Sequence, residues 1–107
     1  MKILSMPAGA AGIPENLTGH ITNNTYTGWS LQDAQNTYNP VDDGGGYNHV
    51  TVPGVLTMTY VGSNQFRILS SYNCTFGSTS PSQSVNIIAG TASVITLYNG
   101  TDVSFTF

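Results

Sequence analysis

Charge is what this sequence has least of. Only 7% of its 107 residues are Asp, Glu, Lys or Arg, where an ordinary soluble domain carries about 25%. Lys2 and Arg67 are its only lysine and arginine. Phosphate recognition needs several cations on one face, so this composition argues against nucleic-acid partners. It argues against an anionic membrane surface on the same ground, and no apolar run is long enough to span a bilayer. Cysteine is equally scarce. Cys74 stands alone, so no intrachain disulfide can form. It lies in Tyr72-Asn73-Cys74-Thr75-Phe76, in phase with two aromatics. That context reads as a small buried hydrophobe, because nothing local offers the base or helix N-terminus that a reactive thiolate needs.

What is present is enough for one core. Hydrophobic residues make up 39% and aromatic residues 10%, and a chain of this size folds as a single domain without staples. Disorder requires low hydrophobicity with high net charge, and neither holds here. Thr, Ser, Asn and Gly fill the remaining surface. Scattered charge keeps free monomers soluble, so a neutral polar surface suits a chain that spends its time packed against neighbours. Such contacts depend little on salt, since there is little charge to screen.

Residues 1–18 read as an extended N-terminal arm and residues 19–107 as the β-domain. Lys2 to Met6 has the makings of an edge strand, while Pro7-Ala8-Gly9-Ala10-Ala11-Gly12-Ile13-Pro14 builds no regular element. The short apolar stretch after Met1 is interrupted by Pro7, so no signal peptide is expected. Ser30 to Tyr38 is the one helix candidate, with Ser30 and Asp33 resembling a capping box. Period-2 alternation starts near Asn48. Leu56, Met58 and Tyr60 share one face; Phe66, Ile68, Ser70, Tyr72, Cys74 and Phe76 share another long one. Parity selects the turns. A three-residue loop at Gly62-Ser63-Asn64 pairs Tyr60 with Phe66 and Met58 with Ile68. A loop at Tyr98-Asn99-Gly100, with Gly100 left-handed, pairs Ile95 with Val103 and Leu97 with Thr101. Val85 to Ala89 supplies one more strand. The expectation is an all-β sandwich, jelly roll or barrel of short antiparallel strands with at most one short helix.

Few residues carry chemistry. Asp42 and Asp43, before three glycines, are the best calcium candidates, but the loop lacks the alternating acidic ligands of an EF-hand and reads first as a polar turn. His20 and His49 are the possible neutral-pH bases; they lie in different segments with no recognised nucleophile motif beside them. No cofactor motif is present, and a non-enzymatic role is expected. Four Asn-X-Ser/Thr matches, at Asn16, Asn23, Asn73 and Asn99, are short enough to arise by chance. Ile3, Leu4, Met6 and Ile13, stiffened by Pro7 and Pro14, form a candidate partner-binding arm.

Two function classes follow: an assembly component, or a carbohydrate- or receptor-binding module such as a tail or fibre component. The position of exposed aromatics separates them. A sugar binder presents Trp29 or tyrosines along a shallow groove; an assembly subunit presents apolar surface at its contacts. The arm from Lys2 to Pro14, the Thr/Ser/Asn/Gly-rich β-body and the shortage of Lys, Arg and Glu resemble small virion proteins of tailed phages, in particular capsid decoration (cement) proteins. The resemblance implies a location on the outer surface of a capsid after synthesis in the host cytoplasm. It also implies contacts with the major capsid protein and a trimer of the chain's own copies.

Overall fold

A computed structural model of the chain describes residues 12–23, 28–42, 44–45 and 47–107. Among them are strands β1 (Leu17–Asn23), β2 (Gly28–Gln32), β3 (Thr37–Tyr38), β4 (Val41–Asp42), β5 (Asn48–Val52) and β6 (Leu56–Gly62). They continue with β7 (Gln65–Ser70), β8 (Cys74–Thr79), β9 (Ser82–Ile87), β10 (Ser93–Thr96) and β11 (Thr101–Thr106). One sheet has the order β9-β8-β11-β1-β2-β3 and the other β10-β7-β6-β5-β4, all pairs antiparallel. The protein is an all-β, two-sheet sandwich, as its alternation predicts.

The core lies between the sheets. Leu17 and Ile21 of β1, Trp29 and Leu31 of β2, Phe76 of β8, and Val103 and Phe105 of β11 face inward from one sheet. Val50, Met58, Phe66 and Ile68 face them from the other. The rings of Phe76 and Phe105 meet at 5.1 Å between centroids, and Trp29 sets its edge against Phe66 at 5.3 Å, the tilted and edge-on geometries that aromatic quadrupoles favour.

Several sequence expectations change in detail. The pairs Tyr60 with Phe66 and Met58 with Ile68 form. The turn itself is tighter than predicted: Ser63 and Asn64 sit at φ of 55° and 60°, Gly62 pairs with Gln65, and a bulge at Val61 restores the parity. The alternation from Phe66 to Phe76 is two strands. β7 belongs to one sheet and β8 to the other, and Ser70 Oγ turns the chain between them by donating to Tyr72 O and accepting from Tyr72 N. Likewise Ile95 and Val103 do not pair, nor do Leu97 and Thr101. β10 joins β7, while β11 joins β1 and β8. Gly100 is left-handed, with φ of 90°, but it serves a crossover between sheets and not a hairpin. Ile95, Leu97, Val103 and Phe105 are nevertheless all buried. The strand expected from Val85 to Ala89 runs from Ser82 to Ile87.

The helix candidate from Ser30 to Tyr38 is instead the end of β2, a polar turn and β3. Asp33 decides this. Its Oδ1 accepts from the backbone N–H groups of Gln35 and Asn36 at 2.8 and 2.6 Å, and Asp33 N donates to Asn36 O. That local bonding closes a turn where a helix would need the same groups free.

Candidate functional site

The outward positions of the six-stranded sheet carry small polar side chains. Because Ile21, Trp29, Leu31, Thr101 and Val103 point inward, the alternate residues His20, Ser30 and Asp102 point out. They also stand in one cross-strand row, since Asp102 pairs with His20 and His20 with Ser30. His20 Nδ1 lies 2.7 Å from Asp102 Oδ1, within hydrogen-bonding distance. A second row runs Ser84, Gly77, Ser104, Thr18 and Gln32. Gly77 opens its floor: a Cβ there would meet Ser104 Oγ at 3.0 Å. The two rows border a groove of about 620 Å³.

The side chains around this groove can form hydrogen bonds. The side chains of His20 and Asp102 are 52% and 69% exposed, whereas a hydrolytic centre excludes water around aimed charge-stabilising donors. The groove is lined by no Trp, Tyr or Phe among the described residues. Trp29, the ring with most to offer a sugar, is in the core at 2% exposure. Tyr47 and Tyr98 are exposed, but Tyr47 packs edge-on against Tyr60 and Tyr98 occupies the β10–β11 crossover, where its N–H donates to Ser80 O.

Asp33 and Asp42 make turns. Asp42 Oδ1 accepts from Gly44 N at 2.8 Å; Asp43 lies outside the described residues, among which no three His, Cys, Asp or Glu side chains gather around a possible metal position. Asp33 adds bonds from Asn36 Nδ2 and from the Tyr38 hydroxyl at 3.0 Å. The donated backbone hydrogen bonds lower its pKa to about 2, and the bond to Asp33 raises that of Tyr38. Cys74 is buried, and desolvation raises its pKa, which leaves the thiol protonated and unreactive.

Of the candidate arm residues, Ile3, Leu4, Met6 and Pro7 lie outside the described residues. Ile13 is 72% exposed. Pro14 is half-buried at a small cavity of about 180 Å³ beside Leu17, Asp33, Tyr38 and Val52. β1 begins at Leu17, within the last two residues of the segment read as an arm.

The remaining site feature is an edge. β9 ends its sheet and β10 ends the other, on the same open side of the sandwich. Gln83 bridges them, its Nε2 donating to Ser78 Oγ at 3.0 Å and to Thr96 O at 3.1 Å. Ile88, just beyond β9, and Val94, on β10, are both more than half exposed. Compared with known proteins, the chain matches no family model, no curated protein and no solved structure. Sequence reasoning missed both the His20–Asp102 pair and this edge. The pair joins residues 82 apart, and alternation within each strand carries no sign of its partner. The edge does have a sequence signal, the uncharged stretch from residue 68 to residue 101.

Proposed function

We propose that this chain is a non-enzymatic structural subunit of a larger assembly, and that the assembly is a virus particle on which it acts as a capsid decoration protein. The observation that carries the assembly half is a long uncharged sheet edge with two exposed apolar residues beside it. The sugar-binding alternative needs rings along a groove, and the described residues that line the groove include none. The exposed Ile88 and Val94 instead adjoin an uncharged sheet edge, the kind of surface that a neighbouring chain covers. The virion half rests on the resemblance of the sequence to small phage virion proteins. It carries with it the partners named above: the major capsid protein and further copies of this chain, expected as a trimer.

A carbohydrate- or receptor-binding role ranks second. The hydroxyls and amides around His20 and Asp102 can bond a polyol, yet without stacking the affinity falls to that of exchangeable hydrogen bonds. Immunogold labelling of particles from producing cells tests the first reading. A regular signal on the outer surface supports it, and recovery of the chain only as free protein overturns it.

A further inference from the structure

Sheet edges are a hazard that proteins manage. Unpaired N–H and C=O groups template further strands, and natural edges are blunted by shortness, charge, proline or bulges. Two edges of this sandwich follow the rule. β3 and β4 are two residues each, Pro40 lies between them, and β4 ends on Asp42. β9 does not follow it. It is six residues long, Ser82–Ile87, with no charge and no proline, and it pairs with β8 without a bulge along its full length. Alternate residues of such a strand direct their backbone groups away from β8, and no described strand receives them.

We infer that the outer edge of β9 pairs antiparallel with β9 of a second copy, across a two-fold axis, joining the two six-stranded sheets into one. A second copy fits because an isologous contact sets each residue against its own kind, and β9 offers no charge to repel its twin. The neutrality extends past the strand. Residues 68 to 101, which contain β8, β9 and β10, hold no Asp, Glu, Lys, Arg or His. Ile88 and Val94 flank the edge and add apolar area to each side of the axis. Val85 and Ile87 already point into the core, so the contact is made by backbone bonds and by the outward Ser84 and Asn86. This deepens the assembly reading by naming a two-fold contact that forms in solution, separate from the three-fold contact that the resemblance implies on the capsid, and it leaves the outer faces of both sheets free.

Sedimentation of the full chain at about 100 µM, where a micromolar contact is saturated, tests it. The wild type should run as a dimer. The double variant Ser84→Lys/Asn86→Lys changes only exposed outward positions and should run as a monomer, with the melting curve that the wild type shows at dilutions where it too is monomeric. A chain lacking residues 1–11 should remain a dimer. Amide hydrogen exchange of the wild type gives a measurement free of variants: protection in β9 should rise with protein concentration. A monomeric wild type, a dimer that survives both lysines, or β9 exchange independent of concentration would each overturn the pairing. So would loss of the dimer on removing residues 1–11, because the arm would then be what joins the two copies. Particle labelling is scored separately. A chain monomeric in solution yet present on particles defeats the β9 contact and spares the assembly reading, whereas a β9 dimer never found on particles supports the contact and defeats that reading.

Discussion

The two open sides of the sandwich obey different rules. On one, β3 and β4 are too short to template anything, Pro40 removes a donor, and Asp33 and Asp42 tie the backbone into turns. On the other, β9 and β10 present uncharged strands, and among the described residues the sheets are linked there by neutral groups alone: the Gln83 amide to Thr96 O, Gly90 N to Ser70 O and Tyr98 N to Ser80 O. The first side is built to end a sheet, whereas β9 on the second is six residues long and carries no charge, proline or bulge within its span. Charge follows the same division. Glu15, Asp33, Asp42 and Asp43 precede residue 44, and no charged residue falls between Arg67 and Asp102. So the low charge of the sequence is not spread evenly: it is concentrated into one neutral block, and the fold places that block on one side.

If the second side is bare by design and not merely loose, its strands should be anchored as firmly as the rest. Phe105→Ala, in the strand next to β8, should cost about 3–5 kcal/mol by urea denaturation, the range for emptying a core phenylalanine site. Ser104→Ala on the opposite face should be nearly silent. Ile87→Ala, at the end of β9 with 1% exposure, should cost about 2–5 kcal/mol. Val41→Ala on the blunted side, at 58% exposure, should stay within about 0.5 kcal/mol. Equal, small effects at Ile87 and Val41 would mean that β9 is only loosely attached, and the contrast would collapse.

The Gln83 link is the next test. Gln83→Ala removes two part-buried bonds and should cost about 1–2 kcal/mol while leaving Thr96 O without that donor. A neutral edge also predicts that self-association changes little between low and high salt, since screening acts on charge. Association that weakens steeply with salt would point to a charged surface and away from β9.

How much of this was legible beforehand depended on distance along the chain. Which face of a strand is buried could be read locally, because alternation is a property of neighbours. Leu56, Met58, Phe66, Ile68, Phe76, Val103 and Phe105 are all core. Which strand lies beside which could not be read this way. A single alternation from Phe66 to Phe76 looks the same whether the chain runs straight or steps from one sheet to the other at Ser71 to Asn73. The Tyr98–Gly100 segment has hairpin chemistry, yet the strands it joins find partners on different sheets, because burying both faces of the core outweighs a local turn. Ser30 to Tyr38 has helical spacing, but Asp33 claims the backbone donors first. The candidate site was least visible: His20 and Asp102 meet only because β1 and β11 are neighbours.

The smallest expected effect is also the one whose sign is most constrained. Asp33 holds the turn that leads into β3 on the blunted side, and its carboxylate is stabilised by the N–H groups of Gln35 and Asn36. Its folded pKa, about 2, lies below the ordinary 3.8. A carboxylate depressed on folding contributes stability that is present above its unfolded pKa and is lost as pH falls through the folded value, because the unfolded chain then binds the proton more readily. The contribution should therefore be constant from neutral pH down to about 5 and fade from there towards about pH 2. Asp33→Asn keeps an oxygen for the two backbone donors but removes the charge that titrates, so the turn should survive and this share of the acid slope should vanish. Comparing the melting temperatures of wild type and variant across that window isolates Asp33, since every other carboxylate is common to both. The difference should be small at this exposed turn and should shrink as pH falls. Parallel acid slopes would show that the turn does not depend on the charge of Asp33, and that shortness and Pro40 alone blunt this side of the sandwich.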